Sequence, residues 1–244
     1  MIDLHCHILP QFDDGASSLE ESMAMARMAV VSGVTGICAT PHFRGDERSL
    51  ELVELLKQRY RLLTEGLRQS GLPLQLYPGA EILCLPQTVE MAHRGQLPTL
   101  GNTGYLLSEF YFNESFSSMD EILTGIAHAG YVPVIAHPER YEAIQRDPRR
   151  IIRWFEKGFV IQINKGSILG ALGHRAEQAA DWILSSGLAH LVASDAHSSH
   201  HRTTDMTALR ARLLEDYRPE YVQILMEHNP SRLIRGEEMV PVLR

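Results

Sequence analysis

The segment AGYVPVIAH (Ala129–His137) holds the pattern whose reading decides the fold: a glycine just past an amphipathic stretch, an apolar run of strand length, then a histidine. Glycine is the usual helix stop, because only it adopts left-handed backbone without a Cβ penalty. The junction recurs as SGVTGICAT (Ser32–Thr40), SGLPLQLYPG (Ser70–Gly79), KGFVIQIN (Lys157–Asn164) and SGLAHLVASD (Ser186–Asp195). With the run that starts at Met1 and with Tyr105–Glu109, seven strand–helix units are expected. Ser18 and Glu21 form a capping box ahead of a helix over Leu19–Val31. Residues 47–69 carry a leucine stripe at helical spacing. Segments 119–129, 148–157, 174–186 and 204–228 also read as helices, the last broken near Pro219. Alternating strands and helices imply an α/β domain with a parallel sheet and helices outside, one domain over residues 1–244.

The polar residues favour barrel-like closure over an open sheet. The first run, MIDLHCHILPQFDDG, places His5 and His7 two apart, so both project to one strand face, and Asp14 follows in the loop. The second run ends at His42, the third at Glu81, the fourth at Glu109, the fifth at His137, and the last at Asp195 and His197. Only the run ending at Asn164 breaks the series. A lone His or Glu finishing a strand is ordinarily a solvated loop residue. Nine in one chain, all metal-ligand types, point to a shared purpose. In parallel α/β folds the carboxyl ends of the strands share one rim, where sites assemble; only a closed ring brings all of these ends round one point.

Imidazole and carboxylate without thiolate suit Zn, Mn, Fe or Co. Nine ligands exceed the needs of one ion, and three ions can share them if one carboxylate bridges. Four carboxylates, five neutral histidines and three divalent ions leave a formal +2, suited to a phosphate dianion; two ions leave none.

The bulk composition excludes other classes. A net charge of −7 without a basic run argues against nucleic acid as partner. No apolar run approaches a membrane span, and residues 1–10 do not read as a secretory signal. Three cysteines at unrelated spacings suggest a reducing, cytoplasmic setting without a disulfide framework. Of 12 histidines, His93, His128, His174, His190, His200, His201 and His228 read as scattered surface residues. CATPHFR (Cys38–Arg44) fits the C-x5-R pattern of cysteine-dependent tyrosine phosphatases, but Pro41 lacks an N–H for an anion cradle, and Cys38 lies inside an apolar run where thiols are inert.

Taken together, HxH, DDG, TPH, PGAE, the strand-final Glu, HPERY and SDAH resemble the polymerase-and-histidinol-phosphatase (PHP) superfamily. Within it, HCHILPxxDDGA, ATPH, GAEI, HPERY, QIN-GS-G-G and ASDAH are similar to the bacterial manganese-dependent protein tyrosine phosphatases of capsule and exopolysaccharide operons, from Met1 to about Arg202. The resemblance implies a distorted (β/α)7 barrel holding three divalent ions, Mn first, with Fe, Co, Zn or Mg as alternatives. By analogy His5, His7, Glu81 and Asp195 hold one ion; Glu81, bridging, with Glu109 and His137 holds a second; Asp14, His42 and His197 hold the third. Arg140 and Arg202 are implied to bind phosphate. The implied reaction is hydrolysis of a phosphotyrosine on a protein, a tyrosine autokinase of polysaccharide export, through attack by a metal-bound hydroxide. Phe43, Tyr111 or Phe112 are candidates to pack on the substrate ring, each equally readable as core or loop filler. Two other readings stand beside this one: a histidinol-phosphate-type small-molecule phosphatase on the same scaffold, and a non-catalytic interaction module. Three departures touch the pocket rim: EFYFNE (Glu109–Glu114) lacks the usual proline, QINKGS carries Lys165 where a small residue is common, and SDAH is followed by Ser198-Ser199-His200-His201 before Arg202.

Overall fold

The computed structural model describes residues 1–240, so positions 241–244 of the single-domain assignment lie outside the described residues. Nine strands appear among them: β1 (Ile2–Cys6), β2 (Gly36–Ala39), β3 (His42–Arg44), β4 (Gln75–Pro78), β5 (Glu81–Leu83), β6 (Tyr105–Glu109), β7 (Val132–Ala136), β8 (Val160–Asn164) and β9 (Leu191–Ala193). The excess over seven has a local cause. The second and third apolar runs each break in two, β2/β3 across Thr40–Pro41 and β4/β5 across Gly79–Ala80. Proline has no N–H to give the ladder. At Gly79 a Cβ would lie 2.8 Å from Cys38 Sγ, so only glycine lets the two breaks pack together.

The breaks divide the strands into two parallel sheets, ordered β1-β2-β4 and β3-β5-β6-β7-β8-β9. The outer end of the second sheet meets β1. Asp195 N–H donates to His5 O at 2.9 Å, His7 N–H donates to Ala196 O at 2.8 Å, and Cys6 pairs with Ala196 in an isolated parallel bridge. The chain is thus a mixed α/β fold with parallel sheets.

The helices fall close to the expected spans: α1 (Leu19–Val31), α2 (Val53–Ser70), α3 (Thr88–His93), α4 (Phe116–His128), α5 (Glu142–Arg146), α6 (Ile151–Glu156), α7 (Lys165–Ile168), α8 (His174–Ser185), α9 (Thr207–Asp216), α10 (Pro219–Gln223) and α11 (Asn229–Ile234), with a π-helical turn over Ile224–His228. Ser18 caps α1 by accepting from Glu21 N–H, while the Glu21 carboxylate reaches back to Ser17 N–H. Residues 47–52 and 148–150 are 3-10 turns, so the helices there start later than expected. The short α3, α5, α7 and α11 lie outside the expected spans and escape a periodicity reading because they span less than two turns.

A large core packs helix faces against the sheets. A smaller cluster joins Leu4, Cys38, Leu107, Val134, Val160 and Leu191 from six strands, with Leu100 and Leu233. On β6 and β8 the two-residue period puts Glu109 on the face of Leu107, and Gln162 and Asn164 on the face of Val160. The smaller core therefore runs straight into a polar site.

Candidate metal centre

All nine residues expected as ligands converge. Four overlapping groups have ligand atoms within 4.8 Å of one another: His7, Asp14, His42 and His197; His5, His7 and Glu81; His5, His137 and Asp195; His42, Glu81 and Glu109. Glu81 is the hub. Its Oε1 lies 3.1 Å from His5 Nε2 and 3.0 Å from His137 Nε2; its Oε2 lies 3.3 Å from His7 Nε2 and 3.1 Å from His42 Nδ1. The sequence reading has His42 and Glu81 closing the second and third runs; instead they open β3 and β5 just past the breaks. His5, His7, Glu81, His137 and Asp195 are buried, while Asp14 and His42 stand at the open side.

Two further residues orient the imidazoles. His7 Nδ1 lies 2.7 Å from Asp13 Oδ2, a carboxylate that also accepts the His42 N–H at 2.8 Å. Gly15 makes this turn possible, since a Cβ there would lie 2.1 Å from His7 O. His5 Nδ1 lies 3.0 Å from Gln162 Oε1, towards which His137 N–H also points at 3.4 Å. With the Nδ1 protons given to Asp13 and Gln162, both Nε2 lone pairs face inward, 3.3 Å apart. In that tautomer two imidazole lone pairs face each other beside a carboxylate, an arrangement that a cation or a proton between them stabilises. This donor set fits divalent metal, and outward Nδ1–H bonds to carboxylate or carbonyl are the usual support of metal-binding histidine. Asp13 and Gln162 were both missed from sequence. The signals were present: Asp13 is the other acid of DDG, and Gln162 is two before Asn164 on one strand face.

Without metal, protons take the cation's place. Burial opposes charge on His5, but Glu81 and Asp195 outweigh it and raise its pKa to about 9. Burial likewise opposes charge on His7, and its hydrogen bonds to Asp13 and Glu81 raise it to about 10. Burial pushes Glu109 up to about 7, with the Glu81 charge adding to it. Burial would raise Asp195, but His5 and His137 pull it down to about 2.

Three residues of the site hold left-handed backbone without being glycine: His137 (φ 34), Asp195 (φ 50) and Arg202 (φ 48). Such strain gathers at functional sites and persists where the surroundings fix it. Both expected phosphate-binding arginines reach the same atom, Asp195 Oδ2. Arg140 lies 3.4 Å from it, and Arg202 also pairs with it. Asn164, ending the strand without a metal ligand, donates its amide to that oxygen and accepts from Gly166 N–H. Asp195 Oδ1 is left facing His5 at 3.5 Å and His197 at 3.6 Å.

The aromatic candidates separate. Phe43 is core, 1% exposed, whereas Tyr111 and Phe112 are 48% and 43% exposed beside His42 and Glu109. Arg140 lies 4.4 Å over the Phe112 ring. Tyr141 is structural: its hydroxyl donates to Ala136 O and accepts from Phe110 N–H. His190 corrects the surface reading. It stacks on Phe155, accepts from Ile161 N–H at 3.0 Å, and burial lowers it to about 4. The other histidines read as surface residues are exposed.

The family model for capsular polysaccharide synthesis, CpsB/CapC, matches residues 1–235. Tyrosine-protein phosphatase YwqE of Bacillus subtilis is 34% identical over 97% of this chain and 92% of its own length. Tyrosine-protein phosphatase CpsB of Streptococcus pneumoniae is 30% identical over 97% and 99%. A solved structure from work on YwqE and CpsB, described as unique metal-dependent tyrosine phosphatases, superposes with TM-score 0.88 at 32% identity over 100% of both chains. The lactonase Lmo2620 of Listeria monocytogenes, 13% identical with TM-score 0.54, shares the fold alone.

Proposed function

The chain belongs to the CpsB/CapC family of capsular polysaccharide synthesis, and from that membership we propose that it is a metal-dependent tyrosine-protein phosphatase working at the Glu81 cluster. The observation that carries the proposal is the meeting of nine imidazoles and carboxylates with two arginines on one carboxylate. The reading assigns three ions. The third set, Asp14, His42 and His197, is supported by the group those residues form with His7. The other two overlap: His137 groups with His5 and Asp195, and His42 with Glu81 and Glu109, around a Glu81 suited to bridging. Manganese is the ion we favour, on resemblance. The join of β1 to the end of β9, with the small core inside, supports a distorted (β/α)7 barrel in one domain, the site at its carboxyl rim.

Bound divalent ions supply acidified water and positive charge against phosphoryl oxygens. The chain's own groups do the rest. Arg140 and Arg202 each offer N–H forks beside Asp195 that match a phosphate edge. Buried carboxylates and imidazoles exclude bulk water from the inner cluster, while Asp14 and His42 leave one side open to substrate. Tyr111 and Phe112 offer apolar surface at that opening for the substrate ring. Phenolate, with a pKa of about 10, leaves with less acid assistance than an alkoxide needs.

The substrate we propose is a tyrosine autokinase of polysaccharide export, met in the cytoplasm. No helix among the described residues is long and apolar enough to cross a membrane. The test is turnover of a phosphotyrosyl peptide and of histidinol phosphate after chelation and re-addition of Mn²⁺, Fe²⁺, Co²⁺, Zn²⁺ or Mg²⁺. Loss and metal-dependent recovery, with the peptide preferred, is expected; hydrolysis indifferent to chelation overturns the reading.

A further inference from the structure

Lys165, the departure in QINKGS, follows β8 and is 7% exposed. Among the described residues it forms no ion pair. Its ammonium donates instead to two main-chain carbonyls, those of Thr203 and of Asp205, the latter at 3.0 Å. Burying an ammonium is costly unless it is hydrogen-bonded, and the two main-chain carbonyls meet that need here. The carbonyls flank the end of the loop that carries His197 and Arg202. Arg202 itself holds φ 48, a conformation that a side-chain-bearing residue keeps only where neighbours fix it. The Ser198 hydroxyl holds His201 O just before it, and three further contacts brace the backbone around and after it: His197 N–H donates to Arg202 O at 2.8 Å, the Thr204 hydroxyl donates to Met25 O at 2.6 Å, and Lys165 grips the carbonyls beyond. Of the three, only Lys165 ties the loop to the segment of Asn164, whose amide holds the same Asp195 oxygen that Arg202 meets.

We infer that Lys165 is a positioning residue for Arg202: its ammonium pins the main chain just past Arg202 and so sets where the guanidinium meets phosphate. The inference rests on the proposed role of Arg202. The test is a double-mutant cycle on the metal-loaded enzyme, reading KM for a phosphotyrosyl peptide, inhibition by inorganic phosphate, kcat and bound metal. Lys165→Met is expected to raise KM and the phosphate inhibition constant about tenfold, with bound metal unchanged and kcat moved less. In an Arg202→Ala background the same change adds less than about twofold, whereas in an Arg140→Ala background it acts in full. Full multiplication on Arg202→Ala, or an unchanged KM, overturns the inference while leaving the role of Arg202 standing. If Arg202→Ala itself moves neither constant, the role of Arg202 falls, and the inference with it. Should Lys165→Met not fold, Lys165→Gln goes through the same cycle with the same outcomes.

Discussion

Asp13 accepts the Nδ1 proton of His7 across 2.7 Å and, with the same oxygen, the backbone N–H of His42. One carboxylate therefore fixes the tautomer of a buried imidazole and the start of a second strand. Burial opposes its charge, yet the bond to His7 holds its pKa down to about 2. Asp13→Asn keeps the shape but weakens the acceptor. Metal affinity is expected to fall about 10–100-fold, the usual cost of losing such support, with the fold retained. Metal titration of the stripped protein reads this; unchanged affinity would show that Asp13 serves the turn alone.

Protons and metal compete for His5 and His7. Their folded pKa values of about 9 and about 10 lie above the ordinary value of about 6.5. A raised folded value contributes stability fully present below the unfolded pKa and lost as pH rises through the folded one. The metal-free protein should therefore lose Tm as pH rises from about 6.5 to about 10, more than the loaded protein does. Metal binding near neutral pH should release about two protons, measurable by calorimetry in buffers of different ionisation enthalpy. A flat metal-free profile and binding without proton release would refute this.

Cys38 is buried, with its thiol 3.2 Å from Pro78 O, and burial pushes its pKa up to about 12. A thiol in that state is no nucleophile. Cys38→Ser should keep phosphotyrosyl-peptide turnover within about twofold, and chelator should still abolish it. Abolished turnover in a folded serine variant would restore the cysteine route.

Phe112 supports the Arg140 guanidinium at 4.4 Å and stands 43% exposed at the open side. Phe112→Ala should lower kcat/KM for an aryl phosphate about tenfold, the scale of one aromatic contact. An alkyl phosphate should lose less, keeping only the share due to Arg140. Equal losses on both substrates would mean that the ring serves Arg140 and not the substrate.

Much of this is legible in the sequence. Helix α1 falls on the span that Ser18 and the apolar spacing mark, and the seven apolar runs all become strand. Pro41 and Gly79 were visible, but their effect was not. A break in a strand is decided by what packs against it, here the approach of Gly79 to Cys38. His190 shows the same limit: its ring is enclosed by Phe155 and by a strand distant in sequence.

What the sequence determined by itself is the inventory and its order, since strand periodicity and glycine stops are local and the ligand types follow each run. What only the tertiary structure decided is which group faces which. Asp13 rather than Asp14 holds the His7 ring, Gln162 holds His5, and Asn164, Arg140 and Arg202 share one oxygen of Asp195. Those pairings join residues up to 157 positions apart. Their geometry is set by the joining of strands in space, and hydrogen-bond direction leaves no periodic mark along a chain.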